Sequence, residues 1–435
     1  MDVATAMPPP RARRSTALVT TLGAVAGFCA YFCMYAFRKP IAAAEFSDIG
    51  AGWLGVDYKT LVIIAQVAGY AVSKLIGVRV IAEAGRRGRG RAIVGLIVLA
   101  WVALILFALV PAPWNAAVMV LNGLPLGMIW GLVFSYLEGR RNSELLGAIL
   151  CASFILSSGV VKSVAIMMMA AGIGEFWMPA ATGMLFFPLL IGSVAMLERL
   201  PPPDEADERE RAPRVPMNGA DRRAFLREHG LALILLVAGY VLLTAIRDFR
   251  DNFAAELWAG LGYAHVAAVF SASELPVAVI ALAGLGALML IRDNMRALIV
   301  MHGVVIAGAV LLGLATLSFQ AHAIGPIAWM ILTGAGLYLA YTPFNAMLFD
   351  RMIAAIGRAG NAGFLIYVAD ASGYCGSVAL LLYRSFAEPG MRWLPFFIAC
   401  CYATAIVVGL LTLGSALIFR HRARRMAGLG ASGLG

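Results

Sequence analysis

The sequence predicts an all-α polytopic membrane protein made of two six-helix halves, and three observations predict it. Hydrophobic residues make up 61% of the 435 positions and charged ones 13%. The mean hydropathy of +0.85 lies far above that of a soluble domain. The apolar residues gather into twelve stretches of about the length a bilayer requires, at 16–37, 58–82, 92–110, 116–137, 146–172, 177–197, 231–249, 266–291, 297–317, 324–348, 362–383 and 394–419. One long polar segment divides them six and six. A transmembrane barrel would alternate polar and apolar residues along short strands, a pattern absent from this sequence.

Taken in chain order, basic residues orient these spans. Arg11, Arg13 and Arg14 precede the first, Arg86, Arg87, Arg89 and Arg91 separate the second from the third, and Arg140 and Arg141 separate the fourth from the fifth. Arg292 and Arg296 follow the eighth, Arg351 and Arg358 the tenth, and Arg420, Arg422, Arg424 and Arg425 the twelfth. All fall on one side if the N-terminus is cytoplasmic, as the positive-inside bias requires, so both termini are expected inside. The expected location is a bacterial inner membrane. Residues 1–15 carry prolines and arginines without a cleavable apolar core, so the first span is expected to stay in the protein. The net charge of +10 follows from this loop bias, which removes it as an argument for a nucleic-acid partner.

The polar segment 199–229, with Pro201-Pro202-Pro203-Asp204-Glu205, has too little apolar surface to fold alone. It is expected to be a cytoplasmic linker between an N-terminal bundle, 1–198, and a C-terminal bundle, 230–435. Six spans, a linker and six spans is the plan of transporters whose halves are related by an axis along the membrane normal.

Several function classes lack their residues. Cys29, Cys33, Cys151, Cys375, Cys400 and Cys401 lie inside apolar spans, where thiols act as packing residues. The five histidines show neither metal-ligand spacing nor a neighbouring nucleophile. No phosphate-cradling Gly-x4-Gly-Lys-Ser/Thr loop occurs. Neither an ATP-driven pump, a membrane enzyme, a metal nor a bound cofactor is therefore expected.

Charged residues inside the spans carry the functional information, because each costs about 2.5–3.5 kcal/mol at the centre of a membrane helix unless a cavity or partner receives it. Arg38, in Tyr35-Ala36-Phe37-Arg38-Lys39-Pro40, and Arg247, in Ile246-Arg247-Asp248-Phe249, stand near the end of the first span of each half. Two readings are open for this pair: snorkelling to the outer headgroups, or an anion site on the internal two-fold axis. The apolar runs beyond them suggest that both helices continue past the arginines. Asp248 or Asp251 is placed to neutralise Arg247 or Arg250 in the empty state. Counting depth at 1.5 Å per residue sets Lys162 of span five level with Glu274 of span eight, and Lys74 of span two level with Asp370 of span eleven. If those spans pack in pairs, each couple bridges the halves, either as a fixed packing element or as a gate remade as the halves rock.

The sequence resembles the major facilitator superfamily and, within it, the organophosphate:phosphate antiporters, the glycerol-phosphate and hexose-phosphate carriers. Tyr35-Ala36-Phe37-Arg38-Lys39 is similar to that family's first-helix Tyr-x-x-Arg-Lys, and Ser73-Lys74-Leu75 to its second-helix Ser-Lys-Phe. Gly127-Met128-Ile129-Trp130, Tyr240 with Arg247, Glu274-Leu275-Pro276 and Gly373 to Val378 resemble its fourth, seventh, eighth and eleventh helices. The chain departs from the pattern after span two, where Glu83 stands two positions later than the superfamily acid, and in span five, where Leu156 replaces a histidine and Lys162 is an added cation.

The resemblance implies a secondary-active carrier of a small anionic solute, an organophosphate or organic acid, working by rocker-switch alternating access. Arg38, Lys39, Arg247, Tyr35 and Tyr240 would bind the substrate, Lys74–Asp370 and Lys162–Glu274 would gate, and Trp130, Tyr341 and Asn345 would line the route. Membrane lipid and the solute are the expected partners and a monomer the expected state. A sensor that kept the fold and anion site without carrying flux is the alternative.

Overall fold

The protein is seen in a computed structural model that describes residues 10–49, 53–83, 88–138, 140, 142–202, 219–356 and 362–432. Arg86, Arg87, Arg141, Arg358 and linker residues 203–218 lie outside the described residues.

Buried backbone in hydrocarbon must satisfy its own hydrogen bonds, and helices do so throughout. The N-terminal half contains α1 (Pro10–Tyr35), α2 (Tyr58–Glu83), α3 (Arg89–Leu109), α4 (Asn115–Leu137), α5 (Ser143–Ala170) and α6 (Met178–Glu198). The C-terminal half contains α7 (Gly219–Asn252), a short α8 (Ala254–Gly260), α9 (Ala267–Met289), α10 (Asn294–Gln320) and α11 (Pro326–Ala346). It continues through a short α12 (Leu348–Ile356), α13 (Ala362–Ala387) and α14 (Trp393–Ser432). Ten of these helices are long and apolar enough to cross a membrane, so the protein is a multi-pass membrane protein. The 26-residue α2 and α13 are not among the ten; they carry Lys59 and Lys74, and Asp370 and Arg384.

Two boundaries differ from the sequence reading. Helix α7 begins at Gly219, inside the segment read as linker, because Ala220 to Glu228 is a run of good helix formers that extends the span as a polar helix. Helix α1 stops at Tyr35 instead of continuing beyond Arg38. Pro40 cannot donate a helix hydrogen bond, and its ring would clash with the carbonyl of Ala36 in a continued helix. The chain therefore turns through Arg38 into a short 3₁₀ helix, Pro40–Ala43.

Within the N-terminal half, α4 packs on α2 and α3, and α1 on α5 and α6; within the C-terminal half, α7 packs on α13 and α14, α10 on α11 and α14, and α9 on α11. The halves meet where α5 packs on α9 and α2 on α13, the two contacts expected from matched depth. At the first of these, a Cβ on Gly159 would stand 2.5 Å from the carbonyl oxygen of Phe270. Gly159→Val is therefore expected to wedge α5 and α9 apart, at an overpacking cost of about 1–3 kcal/mol, visible as a lower melting temperature in detergent. An unchanged melting temperature would show that α5 and α9 do not hold this close approach.

Candidate functional site

The site begins with the break in α1. Ending a buried helix leaves carbonyls without partners, and here neighbouring amides take them. Asn122 Nδ2 donates to Phe37 O at 3.1 Å and to Ala100 O at 3.0 Å. Gln66 Nε2 donates to Arg38 O at 3.1 Å and to Asn122 Oδ1 at 2.7 Å. These two residues, invisible to motif reading, fix the backbone that presents Arg38. Asn122→Leu strands the Phe37 carbonyl at the helix break and should cost about 1–3 kcal/mol of stability. A denaturation series comparing it with Asn122→Asp, which keeps an acceptor for Gln66, would check the assignment.

Arg38 is 3% exposed, which excludes the snorkelling reading. Its guanidinium lies 4.1 Å from the ring centroid of Tyr70, and within 6.0 Å of those of Tyr35 and Tyr374. Tyr70 and Tyr374 meet edge to face at 4.8 Å across the two halves. Among the described residues no carboxylate reaches salt-bridge distance of Arg38, and its Nε is buried without an acceptor. Arg247, 8% exposed, is treated differently. It stacks over Tyr341 at 4.1 Å and its Nη2 contacts Asp248 Oδ1 at 2.6 Å. Asp248 in turn accepts a hydrogen bond from Ser377 at 2.9 Å.

Below the arginines, Lys74 Nζ reaches Asp370 Oδ2 at 3.1 Å, joining α2 to α13 as the depth count expected. Tyr240 also donates to Asp370 and lies 3.1 Å from the Tyr341 hydroxyl and 3.3 Å from Asn345 Oδ1. The other expected couple is not formed. Lys162 pairs with Asp251 at 2.5 Å, and Glu274 pairs with Arg250 at 2.7 Å. The physical reason is position around the helix: the end of α7 stands beside both residues, and Asp251 and Arg250 on it offer each an opposite charge within bridging distance.

Lys39, expected on the substrate, also belongs to this outer cluster, 2.5 Å from Asp251 Oδ2 and 2.7 Å from Asn252 Oδ1. Asp251 of the C-terminal half is thus held by two lysines of the N-terminal half, and by Ser158, which donates to it. Nearby, Lys59 pairs with Glu256 at 2.5 Å, and Ser163 and Ser271 share a hydrogen bond of 2.6 Å. Burial raises the Glu256 carboxyl above its ordinary pKa, against the lowering effect of Lys59.

Between the Asp251 cluster and the Lys74–Asp370 pair lies a cavity of about 20 Å³, room for about one water. Tyr35, Trp130, Tyr341 and Asn345 line it, as expected, together with Arg247, Lys74 and Asp370. Tyr240 reaches its edge through Asp370 and Asn345. Ion pairs between the halves stand on both sides of this space. Around the central cavity and the Asp251 cluster seven cations, Arg38, Lys39, Lys59, Lys74, Lys162, Arg247 and Arg250, face five carboxylates, Asp248, Asp251, Glu256, Glu274 and Asp370. The excess consists of Arg38 and one of the two lysines that share Asp251.

A family of unknown function, DUF5690, matches this sequence over residues 40–422. No curated protein matches it. Among solved structures, the peptide transporter POT in complex with sulfate superposes with a TM-score of 0.61 at 14% identity, covering 92% of this chain and 95% of that one. A D-xylose-proton symporter gives 0.59 at 14% identity over 92% and 96%. A bacterial homologue of the human drug peptide transporters PepT1 and PepT2 gives 0.59 at 13% over 93% and 99%. These establish that the chain has the major facilitator fold.

Proposed function

The chain belongs to the DUF5690 family, and from its site we propose that this member is a secondary-active transporter of a small anion, an organophosphate or organic acid, working by rocker-switch alternating access. The observation that carries the reading is Arg38, a buried guanidinium without an anionic partner among the described residues, held between two halves that close around it. A charge in that position is costly until a ligand supplies its counter-charge. The surplus of two cations favours a divalent anion, such as a phosphate monoester, over a monovalent one.

The aromatic stacks under Arg38 and Arg247 hold both guanidinium planes and leave their edges for bidentate contact with phosphate or carboxylate oxygens. An anion received by Arg38 from the N-terminal half and Arg247 from the C-terminal half draws the halves together. It therefore stabilises the occluded state relative to either open one. The Lys74–Asp370 pair and the Asp251 cluster act as the two gates. The arginine bias of the loops supports cytoplasmic termini, and one cavity within one chain supports a monomer.

The test is a thermal-shift screen of the full chain in detergent against inorganic phosphate, organic phosphates, dicarboxylates and sulfonates, followed by flux of the best ligand into proteoliposomes. Stabilisation by divalent anions, lost in Arg38→Ala and accompanied by saturable flux, is the expected result. Binding without flux would assign the protein to the sensor class, and no response to any anion would end the anion reading.

A further inference from the structure

A second pocket, with a volume of about 320 Å³, opens between the halves and shares no lining residue with the central cavity; with cytoplasmic termini, as proposed, it lies on the outer side. Its walls come from both halves: Glu45, Phe46 and Asp57 from the segment joining α1 to α2, and Arg384, Ser385 and Pro389 from the end of α13 and beyond. The volume is that of an ordinary small-molecule site.

Three charges facing this pocket have no opposite charge within bridging distance among the described residues: Arg384, Glu45 and Asp57. Arg384 is 8% exposed and locked in place, with its guanidinium 3.3 Å from the Trp393 ring centroid and Nη2 donating to Met391 O at 3.2 Å. Its Nε is buried without an acceptor. Asp57 uses Oδ1 to cap α2, accepting from Thr60 N at 2.9 Å and Thr60 Oγ1 at 3.0 Å, and its other oxygen has no partner among the described residues. The loop that carries Glu45 is built with strain. Phe46 has a φ of 52°, in the left-handed region, and Glu175 accepts from the backbone of Glu45 and Phe46 at 3.2 and 3.4 Å to hold it. A buried guanidinium on one wall and two carboxylates on the other form a dipolar receptacle.

We propose that this pocket is a separate binding site for a small zwitterion, its acidic group on Arg384 and its ammonium on Glu45 and Asp57. A ligand of one charge sign satisfies one wall and is repelled by the other, whereas a zwitterion satisfies both. Because the two walls belong to different halves, opening the outer side separates the ligand's anchors. Occupancy therefore favours the outer-closed conformation and slows exchange from that side. The site stands independently of which anion the central cavity takes.

The experiment uses the full chain in detergent, with thermal shift and calorimetric titration against glycine, β-alanine and γ-aminobutyrate, and with acetate and ethylammonium as single-charge controls. At least one amino acid is expected to bind at least tenfold more tightly than either control. That binding should weaken at least tenfold in Arg384→Gln and in Glu45→Gln, and persist in Arg38→Ala. Glu45→Gln guards against a folding defect in Arg384→Gln, because Glu45 is partly exposed and its side chain holds no other element. Controls that bind as tightly as the amino acids, no binding by any of them, or wild-type affinity in both pocket variants would overturn the proposal. Loss of binding in Arg38→Ala would move the ligand to the central cavity and overturn it as well.

Discussion

Arg38→Met is expected to abolish anion binding and to lower kcat/KM for uptake by at least about a hundredfold, while the ligand-free protein becomes more stable to heat. The first effect follows from the loss of two charge-assisted hydrogen bonds to the substrate, together worth roughly 3 kcal/mol or more. The second follows from the absence of a counter-charge. Methionine keeps most of the volume between Tyr35, Tyr70 and Tyr374 and gives up a cation–π contact worth about 2 kcal/mol, but it removes a buried guanidinium that no carboxylate among the described residues bridges. Arg247→Met should behave oppositely in the empty protein, because it removes the one salt-bridge partner of the buried Asp248 among the described residues, now 2.6 Å away, and leaves it a hydrogen bond from Ser377. Arg38→Lys should restore little, since an ammonium cannot make the planar bidentate contact. Melting temperatures and proteoliposome flux for the three variants check these points together. An Arg38→Met protein that binds the anion like the wild type would remove Arg38 from the site.

How much of this was legible in the sequence can be judged residue by residue. The helical class was, because apolar stretches of bilayer length leave the backbone no alternative. The Lys74–Asp370 pair was too, because residue count along a helix measures depth and both charges stand alone at theirs. The Lys162–Glu274 couple failed for the complementary reason. Depth says nothing about direction around a helix axis, and Arg250 and Asp251 lie at the same level on α7, where they take both partners. The resemblance at Tyr35 to Lys39 implies that Lys39 binds substrate beside Arg38, yet the turn before Pro40 sends consecutive side chains to different places: Arg38 to the tyrosines, Lys39 to Asp251. Gln66 and Asn122 belong to no motif, and their role arises only from the break in α1, which creates carbonyls for them to satisfy. The outer pocket could not be seen at all, since its walls are joined only by the fold.

Asp251→Asn is expected to open the outer gate. One carboxylate here bridges Lys39 and Lys162 and accepts from Ser158, all three on the opposite half, so removing its charge leaves two buried ammonium groups facing each other. Breaking a buried pair by deleting one partner costs about 3–5 kcal/mol, and the strain is relieved when the halves part and water reaches the lysines. The population should therefore move toward the outward-open state by about two orders of magnitude or more. Loss of a single lysine is a smaller event. In Lys162→Met, Lys39 still neutralises Asp251 and the charges in the cluster balance, so closure is largely retained while the preference for divalent over monovalent anions falls. The two cases separate on one readout: the rate at which a membrane-impermeant maleimide labels a cysteine placed at Ser163, which is buried beside Ser271 in the closed interface. Fast labelling in the Asp251→Asn background and slow labelling in the Lys162→Met background is the expected pattern. Equal rates in both would mean that Asp251 is a packing charge and that the outer side is held shut elsewhere, by the close approach of α5 and α9 at Gly159.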